Sequence, residues 1–188
     1  MSDTGEEDPA DEMSQQKLVN ELKQSIEELN SGFDKNHQTL TGQIKKLNDI
    51  TDELEKTTVG SLMRSGNRIA AVLDLGLTKP MIQHLRVIYN TIKELQQMKE
   101  DSDHNKEMLR SVRSAKLEKV GKTLELHKQL NGTKDTLLQD LDHYKITGQN
   151  ETKAESETLI RRMRETAKQF QKIVNEIKSA KEYVDKLV

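Results

Sequence analysis

The chain has no cysteine and no tryptophan, only two prolines, two phenylalanines and three tyrosines in 188 residues. Without cysteine there can be no disulfide, thiolate metal site or cysteine nucleophile. The scarcity of large aromatic residues argues against a dense globular core. It also removes the stacking platforms that nucleic-acid modules rely on. Long apolar runs are missing too. The longest in the middle of the chain is Ile69–Leu73, ended by Asp74, far below the ~18 residues of a membrane span. The continuous apolar strands of an α/β enzyme are absent. So are the basic and apolar regions of a signal peptide, and the expectation is an intracellular, cytoplasmic protein with peripheral membrane contact at most.

What is present is charge. Charged residues make up 33% and hydrophobic ones 32%, with a net charge of −2, so nothing draws the chain as a whole toward nucleic acid. The acids Asp3, Glu6, Glu7, Asp8, Asp11 and Glu12 are crowded into the first sixteen residues, which hold no Lys or Arg. Residues 1–13, with Gly5 and Pro9, are expected to be a disordered acidic tail. The remainder, 14–188, reads as one elongated all-α amphipathic helical bundle or coiled coil.

Apolar residues recur at spacings of three and four. A first helix is predicted from Ser14 as N-cap to Thr58. Its stripe is Leu18, Leu22, Ile26, Leu29, Phe33, Leu40, Ile44, Leu47, Ile50 and Leu54. Ser31-Gly32 and Thr41-Gly42 are expected kinks, since glycine costs roughly 1 kcal/mol against alanine inside a helix. After a pivot over residues 60–80, a second long helix is predicted over 81–130. Its first stripe is Met81, Ile82, Leu85, Ile88, Ile92, Leu95 and Met98. The polar stretch Lys99–Lys106 marks an exposed turn of helix or a bend. Leu109, Val112, Leu117, Val120, Leu124, His127 and Leu130 then resume the pattern up to Asn131-Gly132, a turn signal. A short segment through Leu137, Leu138, Leu141 and Tyr144 reaches Gly148.

The last predicted helix, 151–188, is the most regular. Met163, Phe170, Ile177 and Val184 repeat every seven residues, and Thr166, Ile173, Ala180 and Leu187 fill the alternate positions. Met163, Phe170, Ile173, Ile177, Val184 and Leu187 are thus the candidate oligomerisation seam, toward a protein partner or a second copy. Ile160, Ala167 and Val174 widen it, which suits three or more helices within or between chains. Arg161, Arg162 and Arg164 cluster at its start among Glu155, Glu157 and Glu165, a pattern of solvated positions.

No chemistry-bearing motif survives inspection. Gly121-Lys122-Thr123 ends like a phosphate-binding loop, but Lys116 stands where the loop needs its first glycine, and no strand precedes it. The five histidines share no zinc-binding helix spacing. Asp101, Asp103 and His104 are too few for a cation cage. Carboxylates on solvated faces lack the burial that separates the pKa values of an acid–base pair. No catalytic residue, metal site or cofactor is expected, and the reading is of a non-enzymatic interaction protein.

The pivot is the distinctive stretch. Leu62, Met63, Gly66, Ile69, Ala70, Leu73 and Leu77 fall on one helical face, with Arg64 and Arg68 together on another. Gly66 and Ala70 form a small-residue pair of the kind that permits close helix approach. Such a segment either docks against the long helices or lies in a membrane interface, arginines toward lipid phosphates.

Residues 44–80 resemble part of the apolipoprotein L family, in which a helix of the form I-x-x-L-x-x-x-A-D-x-x-x-K leads into T-x-x-x-x-x-x-S/G and an apolar stretch ending L-G-L-A-x-x-P. Ile44, Leu47, Asp52, Lys56 and Thr57 match the first part, Ser65 and Gly66 the middle, and Leu73, Leu75, Gly76, Leu77 and Pro80 the end. The family continues into a Gly/Ala-rich apolar hairpin; this chain passes directly to a charged amphipathic helix at Met81. The resemblance therefore implies peripheral association with a lipid or membrane surface, not channel-like insertion. The alternative expectation is a structural coiled-coil scaffold without lipid binding.

Overall fold

The computed structural model describes residues 9–56, 61–98, 103–147 and 152–188. Among the described residues there are six α-helices: α1 (Pro9–Glu55), α2 (Ser61–Val72), α3 (Thr78–Gln97), α4 (Lys106–Arg113), α5 (Glu118–Thr147) and α6 (Lys153–Asp185), with a 3-10 turn at Asp103–Asn105. No strand occurs among the described residues. The fold is an all-α helical bundle.

Cross-helix pairs fix the directions. Arg68 reaches Glu53 at 3.4 Å, a Cβ on Gly32 would lie 3.8 Å from Met81 Cγ, and His84 reaches Glu28 at 3.4 Å. Thus α2 and α3 run one after the other, antiparallel to α1, as one helix broken at the pivot. Tyr89 lies against Gly121 and Thr78 against His127, so α5 returns parallel to α1. Lys116 N donates to Tyr183 Oη at 2.7 Å and Arg162 pairs with Asp140, so α6 runs back along α5. It closes on α1 through Arg164 with Asp52, Lys181 with Asp34 at 3.8 Å and Asn30 with Asp185 at 2.7 Å. The result is an up-down-up-down four-helix bundle whose second helix is interrupted. At 1.5 Å per residue the 47 residues of α1 make it about 70 Å long.

Several boundaries differ from the sequence expectation. Helix α1 begins at Pro9 rather than Ser14, which places residues 9–13 of the expected tail in the helix; residues 1–8 lie outside the described residues. Proline suits a first helical position because its missing N–H has no partner there anyway. Neither Gly32 nor Gly42 breaks α1. Buried Leu29 and Phe33 flank one and Leu40 and Ile44 the other, so packing on both sides holds the helix through them. Asn131-Gly132 is not a turn either, because α5 continues through it to Thr147. The second long helix ends instead at Gln97, with a further break at 114–117 between α4 and α5.

The interior divides into two clusters. The larger joins α1 from Val19 to Ile44, Leu75, α3, α4, α5 up to Leu130 and α6 from Phe170 onward. The smaller joins Leu47, Ile50 and Leu54 of α1 with Ile69, Leu73, Leu137, Leu141, Leu159, Met163 and Ala167. Leucine and isoleucine fill both, as the shortage of aromatics requires. The boundary between them coincides with the break between α2 and α3.

Candidate functional site

The break is built by backbone chemistry that the sequence supplies locally. Leu73 N still donates to Ile69 O at 3.0 Å, the last bond of α2. The Asp74 carboxylate then accepts from Gly76 N at 3.0 Å, a side-chain turn that competes with helix continuation. A Cβ on Gly76 would stand 3.2 Å from that same carboxylate oxygen. Thr78 N and Lys79 N both donate to Leu75 O, at 3.0 and 3.3 Å. Pro80 occupies the third position of α3, where its missing N–H costs no intrahelical bond. Leu73 turns into the smaller cluster and Leu75, 1% exposed, into the larger one.

A buried polar chain ties this corner to α5. Thr78 Oγ1 donates to Leu75 O at 2.8 Å and lies 3.0 Å from His127 Nε2. The hydroxyl has one proton and spends it on Leu75, so Nε2 carries the proton shared with Thr78. His127 Nδ1 is then an acceptor, 3.3 Å from the Asn131 amide nitrogen. Each partner fixes the next, and the ring is held neutral in one tautomer. His127 is 6% exposed and Thr78 fully buried. Burial chiefly, with the charges of Arg86, Lys134 and Lys79 acting in the same direction, lowers the imidazole pKa from 6.5 to about 4. A cleft of about 330 Å³ opens beside the ring, lined by Arg86, Leu124, Glu125, Lys128 and Asn131.

The expected pivot face is only partly used. Ile69 and Leu73 are buried in the smaller cluster and Leu77 is half-buried against the larger one. Ala70 is exposed, and a Cβ on Gly66 would meet nothing within 4 Å. The expected close approach at Gly66 and Ala70 is therefore not made: the side of α2 centred on Ile69 and Leu73 faces inward, and Ala70 turns away from it. Arg68 is exposed and bonded to Glu53 of α1. The side chains of Leu62, Met63 and Arg64 lie outside the described residues.

The C-terminal seam is occupied within the chain. Met163 lies in the smaller cluster, and Phe170, Ile173, Ile177 and Val184 lie in the larger one, all at most 2% exposed. Leu187 packs against the same cluster, half-buried. In this arrangement these residues face the chain's own helices rather than a second copy. Two arginines of the expected solvated cluster are tied down, Arg162 to Asp140 and Arg164 to Asp52 at 2.9 Å and Glu55 at 2.7 Å. These contacts hold Glu55 below the usual carboxylate range. Gly121-Lys122-Thr123 sits on α5, where Thr123 Oγ1 donates to Lys119 O, and Gly121 admits the Tyr89 ring rather than a phosphate.

Among the described residues, no group of three or more His, Asp or Glu side chains could hold a metal ion. Asp101, a member of the sequence's acidic trio, is outside them. No helix among them is long and apolar enough to cross a membrane. Sequence reasoning placed His127 in an apolar stripe but missed its pairing with Thr78. It also missed the capping box at the start of α6, where Thr152 accepts from Glu155 N at 3.2 Å and Glu155 accepts from Thr152 N at 3.3 Å. The spacing Thr152-Lys153-Ala154-Glu155 was the available signal. Comparison of the chain with protein-family models, with curated proteins and with solved structures finds no match.

Proposed function

We propose that this chain is a non-enzymatic helical interaction protein that associates reversibly with lipid surfaces by opening its bundle at the corner between α2 and α3. One observation carries the reading: the interior is split into two clusters, and the split falls at the break in the second helix. Helix α2 can then leave the smaller cluster while α3 stays in the larger one. Ile69 and Leu73 would exchange helix neighbours for acyl chains, and the exposed Arg68 would meet lipid phosphates. The similarity of residues 44–80 to the apolipoprotein L family points the same way. No catalytic group, cofactor or nucleic acid enters this reading.

The test is co-sedimentation with anionic and neutral liposomes at low salt. The protein is expected in the anionic pellet, with binding weakened by salt as Debye screening shortens. Protein that stays in the supernatant with both compositions overturns the proposal. A scaffold that self-associates through Met163, Phe170, Ile173, Ile177, Val184 and Leu187 would first have to withdraw those residues from the chain's own core. Light scattering on the full chain separates the two, with a monomer expected.

A further inference from the structure

We propose that the Thr78–His127–Asn131 chain is an acid-released latch, in which proton uptake by the His127 ring frees the α2–α3 corner from α5. The proposal rests on the opening motion above and names what controls it.

As the side chains stand, no acceptor faces a second ring proton. Nε2–H is committed to Thr78 Oγ1, which in turn donates to Leu75 O. Nδ1 faces the Asn131 amide nitrogen, itself a donor, so a proton on Nδ1 sets two donors against each other. The Asn131 carbonyl oxygen is buried without a partner, and half a turn of the amide would bring it to Nδ1. That turn relieves the donor conflict but leaves an imidazolium buried at 6% exposure. The charges that act most strongly on the ring are cations from both helices, Lys79 and Arg86 on α3 and Lys134 on α5. Lys128 adds another at the cleft beside it. Of the nearby carboxylates, Glu125 lines the cleft, Asp74 is bonded to Gly76 N and Asp135 pairs with Lys134 at 3.6 Å. Helix α6 brings the apolar Ile173, Val174 and Ile177 to this core, and Arg68 of α2 is held by Glu53. No carboxylate, Glu125 included, is among the charges that act most strongly on the ring, so a charged ring is relieved by leaving for water. Because Thr78 opens α3 directly after the break, releasing His127 releases the corner itself.

With a midpoint of 6.5 when open and about 4 when closed, the opening constant rises about 30-fold between pH 7.5 and pH 5. Amide hydrogen exchange of the lipid-free full chain reads it, corrected for the intrinsic pH dependence. The Leu73 and Thr78 amides, bonded to Ile69 O and Leu75 O, should lose about 30-fold in protection. His127→Gln keeps a donor and an acceptor but cannot titrate, so its protection should stay flat. Asn131→Asp places a carboxylate at Nδ1 to hold the imidazolium, so protection should stay flat or rise as pH falls. Unchanged protection in the natural protein, or an equal loss in His127→Gln, overturns the latch. Should either variant not fold by circular dichroism, NMR titration of His127 in the natural protein decides: a midpoint above 6 overturns the proposal. No lipid is present, so failure here is distinct from failure of the lipid reading.

Discussion

Gly121 on α5 and Tyr89 on α3 meet so closely that a Cβ on the glycine would stand 3.3 Å from Tyr89 Cε2. The ring is also held from its face, with Lys93 Nζ 4.9 Å from its centroid. By contrast, Gly42 and Gly132 sit inside helices with nothing within 4 Å of an added Cβ. Alanine at an unobstructed helical position is worth about 0.5–1 kcal/mol over glycine. Gly42→Ala and Gly132→Ala should therefore each raise the melting temperature by about 2–3 °C. Gly121→Ala should gain less or nothing, because the ring must yield to make room. Thermal melts of the three variants check the order. A gain at Gly121 equal to that at Gly132 would mean that Tyr89 swings aside freely.

Global stability should depend on pH in two separable windows. The folded-state pKa of His127 lies below its unfolded value of 6.5, at about 4. The unfolded chain therefore binds the proton first, and stability present above pH 6.5 is lost as pH falls toward 4. The loss approaches about 3 kcal/mol at the bottom of that window. Glu55 is also lowered, from 4.5, chiefly by its hydrogen bond from Arg164, so its contribution disappears only as pH falls below that value. Urea midpoints measured from pH 7.5 to 4.5 should decline in the natural protein and stay nearly level in His127→Gln. Parallel declines would place the titrating group elsewhere.

How far the fold could be read from the sequence follows from the range of each signal. Helix α6 was legible to within two or three residues at each end, because its seven-residue periodicity lies wholly within the segment. The glycines and the Asn131-Gly132 pair misled. Local cost argues for breaks there, but buried Leu130 and Leu137 hold α5 to its neighbours on both sides. The true break at 114–117 contains no glycine or proline. Gln96 donates to Val112 O and Ala115 O, both at 3.0 Å, and Tyr183 takes the Lys116 N–H. Those partners come from distant helices, so no window of sequence around the break contains them. The same holds for the site. His127 stood visibly in an apolar stripe, but Thr78 lies 49 residues earlier, and only the packing of α3 on α5 joins them.

The corner should be sensitive to the residue that plugs it and indifferent to one that the helical face suggested. Leu75 is 1% exposed in the larger cluster, and truncation to alanine leaves a cavity costing about 2–4 kcal/mol. Ala70 is exposed on α2, so Ala70→Ser should change stability by less than about 0.5 kcal/mol. Denaturant unfolding of both variants tests this. A large loss at Ala70 would mean that α2 buries its other side.

The cap of α6 offers a test of how the smaller cluster is held. The Thr152 hydroxyl accepts from Glu155 N and the Glu155 carboxylate accepts from Thr152 N, satisfying donors that the first turn would otherwise leave open. One turn further on, Leu159 and Met163 enter the smaller cluster, so fraying of the first turn loosens their hold on Leu137 and Leu141. Thr152→Ala should cost about 1 kcal/mol, whereas Thr152→Ser, which keeps the oxygen, should cost little. Thr158, whose hydroxyl only returns to Ala154 O at 3.0 Å within the helix, serves as the control, and its alanine variant should be near neutral. Hydrogen exchange locates the effect. Amides near Leu159 should lose protection in Thr152→Ala while those near Ile177, in the larger cluster, keep theirs. If both ends of α6 loosen together, the two clusters respond as one cooperative unit, and α2 could not leave its cluster without unfolding the rest.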